Sequence, residues 1–143
     1  MDLRQFNTYK ILNHPELINA LMSGENPFPV SCEIDPSNLC NHSWPWCYFV
    51  DSRQVNKKNL DKKVLFKLID DLVKGRTRSI TFTGGGEPLV NPATPEAIIR
   101  AYAQGIRVGL VTNGGLLDRE KNKTIVYCCD FVRISLDAVD GES

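Results

Sequence analysis

Two thiols and a run of glycines mark where this sequence could do chemistry. The stretch Cys40-Asn41-His42-Ser43-Trp44-Pro45-Trp46-Cys47 sets two cysteines seven positions apart. Soft thiolates suit zinc or an iron–sulfur cluster. Zinc sites usually pair their cysteines more closely, so this spacing also describes two loop cysteines that bind nothing. Further along stands Thr83-Gly84-Gly85-Gly86-Glu87-Pro88. Consecutive glycines let a backbone approach a ligand closely and accept positive φ. Glu87 adds a carboxylate beside them. No Lys-Ser/Thr pair follows, as a Walker loop needs, and the spacing is not G-x-G-x-x-G. A cradle with a fixed carboxylate in it suits an ammonium group better than a phosphate. With no ligand at all, the same run is a glycine-rich turn.

The elements that must position these loops can be read from periodicity. Apolar residues at helical spacing over residues 8 to 22 predict a helix starting near Asn13 or His14, with Pro15 in its first turn. Val30–Asp35 is short, partly β-branched and bounded by prolines, and predicts a first strand. Pro36 to Val50 is a loop by composition. Leu60, Val64, Leu65, Leu68, Ile69, Leu72 and Val73 form one helical stripe, with Asn59 as its expected N-cap and Gly75 as its stop. Ser79–Thr83 and Ile106–Thr112 predict a second and third strand, separated by a helix over Pro95–Gln104. A weak helix over Leu116–Tyr127 and a fourth strand over Asp130–Leu136 complete the order. Strand and helix alternate, which specifies an α/β fold of parallel strands with helical crossovers. Active sites in such sheets lie at the carboxyl ends of the strands. The cysteine loop, GGGEP, TNGG and DAVDGE each follow one predicted strand.

Composition narrows the setting. The chain has 143 residues, five cysteines, 17 basic and 17 acidic side chains, and 42% hydrophobic residues. Zero net charge gives no global attraction to nucleic acid or anionic lipid. No apolar run approaches the ~18 residues of a membrane span. MDLRQFNTYK has no apolar signal-peptide core, which points to the reducing cytoplasm. Cysteines there serve as ligands or buried thiols more often than as disulfides. Cys32, within the first strand, and Cys128-Cys129, beside an apolar strand, read as core thiols. Lys57-Lys58 and Lys62-Lys63 read as a solvated helix start. Asp70-Asp71 cannot both face one site from a helix, and His14 reads as a helix-start residue.

Taken together, the motifs resemble the N-terminal part of the radical S-adenosylmethionine superfamily core. The match rests on Glu33-x-Asp35-Pro36-Ser37-x-x-Cys40, Trp46 before Cys47, Phe82-Thr83-Gly84-Gly85-Gly86-Glu87-Pro88-Leu89, Val111-Thr112-Asn113-Gly114 and Arg133-Ile134-Ser135-Leu136-Asp137. It covers roughly residues 28 to 140. The resemblance implies a partial (β/α)6 TIM-like barrel, here cut short after about four strands. Residues 1–27 would be a helical lead-in and 28–143 the incomplete core. It also implies a 4Fe-4S cluster held by three thiolates, with S-adenosylmethionine chelated at the fourth iron. Reduction by an external electron donor would then yield a 5′-deoxyadenosyl radical that abstracts hydrogen from a substrate. By resemblance Cys40 and Cys47 bind the cluster and Trp46 packs near the adenine. Gly84, Gly85, Gly86 and Glu87 line the methionyl end, with Gly85, Gly86 and Glu87 receiving its amino group. Asn113 and Ser135 lie near the ribose or methionine moiety.

One position departs from the pattern. The family spaces its cysteines C-x3-C-x2-C, and Trp44 stands at the middle place. Loss of one thiolate would make a cluster labile and shift its potential, because ligand type and charge set both. A cysteine and a tryptophan codon differ by a single base. His42 is an alternative nitrogen ligand, although its place in the loop is wrong for the missing corner. The contrasting expectations are a degenerate, non-catalytic binding or structural domain, and a zinc module built on Cys40, His42 and Cys47.

Length completes the expectation. Eight-stranded barrels need about 250 residues, so six strands need roughly 190, and four are predicted here. The fourth strand should therefore present an unpaired edge for a partner to cover, and a longer relative should be the working enzyme.

Overall fold

A computed structural model describes residues 10–49, 57–118 and 123–136. Four strands, β1 (Ser31–Ile34), β2 (Ser79–Phe82), β3 (Arg107–Thr112) and β4 (Phe131–Ile134), form one sheet in the order β1-β2-β3-β4. Every neighbouring pair is parallel. Sequence order equals spatial order, so each crossover returns the chain to the adjacent strand. The expected α/β fold of parallel strands with helical crossovers is what forms.

Helices α1 (Pro15–Met22), α2 (Lys62–Lys74), α3 (Thr94–Ala103) and α4 (Lys123–Tyr127) accompany the strands. α2 packs on α3, and α3 on α4. Register explains the core. Ile80 sits beside Val108 and Phe82 beside Leu110, so all four side chains share one face. They are buried with Leu65, Ile69 and Leu72 of α2 and Ala97, Ile98 and Ala101 of α3. Alanines at two of the three α3 positions let that helix lie close to the sheet. Burying each large apolar side chain contributes about 1.5–3 kcal/mol. α1 buries none of its residues and stands outside this core, with Glu16 3.6 Å from Arg78.

Two boundaries differ from expectation. Asp61, not Asn59, caps α2: its carboxylate accepts hydrogen bonds from the backbone N–H groups of Lys63 and Val64. Asn59 instead accepts from the Ser37 hydroxyl at 2.7 Å and pins the loop after β1. Either residue type can cap a helix, and the loop contact decides between them. The expected helix over Leu116–Tyr127 is helical only at Lys123–Tyr127 among the described residues. Its first residues form a turn in which Leu117 N–H donates to Gly114 O at 3.0 Å. The other spans shift by one or two residues at their ends, as frayed termini do.

The thiols outside the cysteine loop belong to this framework. Cys128 is buried, while Cys32 and Cys129 pack against the core. Burial raises the Cys32 pKa above its ordinary value, with the Glu33 charge adding to it. Burial likewise pushes Cys129 up to about 11, helped by Cys128 and Asp130. Thiols held protonated in this way are poor nucleophiles and poor metal ligands. No helix among the described residues is long and apolar enough to cross a membrane.

Candidate functional site at the strand ends

The carboxyl ends of the strands open into one pocket of about 140 Å³. The loop after β1 contributes Cys40, His42, Trp44, Cys47 and Phe49; the loop after β2 contributes Thr83 to Glu87. β3 and its end add Val111, Thr112 and Asn113, and Ser135 closes the rim after β4. Cys40, Cys47, Gly84, Gly85, Gly86, Glu87, Asn113 and Ser135 are thus brought together from four separate segments. Trp46 is not: its side chain is 65% exposed and does not border the pocket. Phe49 and Trp44 are the aromatic side chains that do. Asp137 and the DAVDGE loop lie outside the described residues.

Short polar contacts hold the loops in place. Asp35, just past β1, accepts from Gly85 N–H at 2.9 Å and from Ser37 N–H at 3.3 Å. Gly84 has φ +125, and a Cβ there would fall 2.1 Å from Asp35 Cγ. A Cβ on Gly86 would fall 2.1 Å from Ser37 O and 2.3 Å from Leu39 O. Two of the three glycines are therefore required by the cysteine loop pressed against them. Glu87 N–H donates to Leu39 O at 2.7 Å and closes the same seam. Buried Asn91 donates to Pro36 O and Leu60 O and accepts from Ala93 N–H, tying the starts of this loop, α2 and α3.

Glu87 is 2% exposed. Its carboxylate accepts from Thr112 Oγ1 at 2.7 Å, Asn113 N–H at 2.8 Å and Leu89 N–H at 3.1 Å. It therefore links the ends of β2 and β3. The Asn113 side chain is equally engaged. Its amide donates to Asn41 Oδ1 at 2.9 Å and lies 3.7 Å from Cys40 Sγ, while its oxygen accepts from Gly115 N–H at 2.9 Å. Ser135 N–H donates to Thr112 O at 2.8 Å, leaving its position on the rim set by backbone.

The donor set decides which groups the pocket suits. Exposed backbone of a glycine run beside polar rim groups fits the amino acid end of S-adenosylmethionine. Two thiols on the same pocket are the right chemistry for iron and sulfide. They are one thiolate short of the set that the motif pattern implies, and Trp44 occupies that place. Among the described residues, no group of three His, Cys, Asp or Glu side chains is arranged to hold one metal ion.

Two site residues have no role assigned from the sequence. Asp35 appeared only within a motif, without a role, because its partner Gly85 is fifty positions away. Phe49 is one aromatic among several in its loop.

Comparisons with known proteins bear on the family and the fold. The family model described as "Radical SAM superfamily" matches residues 34–142. The chain is 38% identical over 111 residues to the GTP 3′,8-cyclase of Chlorobaculum tepidum, covering 76% of this chain and 33% of that protein. It is 28% identical over 130 residues to an S-adenosylmethionine-dependent nucleotide dehydratase of Flammeovirga pacifica, covering 88% and 44%. The crystal structure of BtrN in complex with AdoMet and 2-DOIA superposes with a TM-score of 0.61 at 18% identity, covering 78% of this chain and 47% of that one. That likeness concerns the fold. The chain spans 33% and 44% of the length of these two curated relatives.

Proposed function

The chain belongs to the Radical SAM superfamily, and from that footing we propose that it is the cofactor-binding half of a radical S-adenosylmethionine enzyme. The carrying observation is the convergence of two thiols, a glycine run and a buried carboxylate on one pocket at the ends of parallel strands. A cyclase and a dehydratase share this portion while their named reactions differ. What they share is therefore the common chemistry, not a substrate.

In this reading Gly85, Gly86 and Glu87 receive the methionyl amino group, with Gly84 lining the same end. Asn113 and Ser135 border the ribose or methionine moiety. The aromatic face for adenine, which the resemblance assigns to Trp46, is better supplied by Phe49, because Phe49 borders the pocket. Cys40 and Cys47 offer thiolates to an iron–sulfur cluster, whose role in the family is to deliver one electron to the sulfonium. An external electron donor and a substrate are the partners this implies.

Equilibrium dialysis of the 143-residue chain against labelled S-adenosylmethionine, under anaerobic conditions with iron and sulfide, tests the pocket. We expect saturable one-to-one binding that Gly85→Val weakens on the order of tenfold or more. The Gly85 position has room for little else, since a Cβ there already lies 3.1 Å from the Phe49 ring. Binding equal in the variant would move the ligand elsewhere.

A further inference from the structure

Four side chains of the Cys40–Cys47 stretch border the pocket: Cys40, His42, Trp44 and Cys47. Three of these side chains can give a lone pair to a metal. The fourth cannot, because an indole N–H is a donor only. Trp44 is half-buried, and its ring meets His42 edge-on at 5.3 Å between centroids. Its carbonyl accepts from Cys47 N–H at 3.1 Å, so the backbone here forms the turn that carries the second thiol. The loop therefore keeps its shape while one of its inward positions is chemically inert. Around it the supports stand: Asn113 lies on Cys40 Sγ, and the Leu39–Glu87 seam is closed.

We propose that Trp44 denies the pocket its third thiolate, so that the native chain holds iron and sulfide far less firmly than its Trp44→Cys variant. The inference rests on the reading of Cys40 and Cys47 as cluster ligands. A two-thiolate site leaves more iron valences to solvent, and lost supporting contacts alone lower metal affinity about 10–100-fold. Replacing the indole by a thiol needs no backbone change, since the position's hydrogen bond comes from its carbonyl.

The test compares the native chain, Trp44→Cys, and Trp44→Cys with Cys40→Ser. Each is reconstituted anaerobically with ferrous iron and sulfide, desalted, and assayed for iron, visible absorbance and the rate of iron loss to a chelator. Far-UV circular dichroism monitors the fold. We expect Trp44→Cys to lose iron at least tenfold more slowly than the native chain, and the added Cys40→Ser to abolish that gain. Equal retention by native and Trp44→Cys overturns the inference and leaves the cluster reading standing. Iron in neither chain, with folds intact, overturns both. Trp44→Ala, equally folded, separates ligation from relief of crowding: retention matching Trp44→Cys also overturns the inference.

Discussion

At Glu87 one buried carboxylate joins two pieces of chain: its own turn through Leu89, and the end of β3 through Thr112 and Asn113. A glutamine of the same size would put an NH2 group against one of those N–H donors and leave it unsatisfied. Orphaning a buried donor costs about 1–3 kcal/mol. Glu87→Gln should therefore lower the stability of the ligand-free chain by about that much, measured by urea unfolding. Unchanged stability with weakened S-adenosylmethionine binding would reduce Glu87 to a ligand contact. The carboxylate beside a glycine run was legible in the motif. Its partners were not, because Thr112 and Asn113 come from the next strand.

Among the elements, α2 and α3 are joined by a two-pronged contact. Arg100 Nε and Nη2 donate to the two Asp70 oxygens at 2.9 and 2.7 Å, and Gln104 adds a third bond at 3.0 Å. The Arg100 and Gln104 hydrogen bonds, in that order, hold the Asp70 pKa down to about 2. The folded-state value lies below the unfolded one, so this stabilisation is present above about pH 4 and is lost as pH falls from about 4 to about 2. Asp70→Asn should remove that part of the acid sensitivity, seen as a smaller drop in urea midpoint between pH 6 and pH 3. The effect is small because the pair is solvent-screened. Asp71, one position on, turns away to Lys67 and Lys74. Adjacent carboxylates on a helix do face different partners, as the sequence implied. That Asp70 would bind across to another helix follows only from the packing of α2 on α3.

Across the whole molecule, β4 has β3 as its one strand neighbour among the described residues. Phe131 of β4 is 50% and Leu136, just after it, 75% exposed. Open edges flanked by apolar side chains template pairing with other chains. The chain alone should associate with rising concentration, and Leu136→Lys should lower that association in sedimentation velocity at unchanged circular dichroism. Association equal in the variant would place the contact elsewhere. We propose that in a working assembly this edge is covered by a partner.

Strand identity, parallel order and the gathering of the motif loops at the strand ends were determined by local patterns in the sequence. Apolar periodicity distinguishes strand from helix, and alternation of the two dictates parallel crossovers. Cys40, Cys47 and the glycines announced themselves by residue type. Tertiary structure alone decided the rest. It left Trp46 exposed and brought Phe49 to the pocket. It shifted the cap of α2 to Asp61 so that Asn59 could hold Ser37, and it paired Asp35 with Gly85. These outcomes depend on which side chains meet across strands and loops distant in sequence, and no local pattern encodes such meetings.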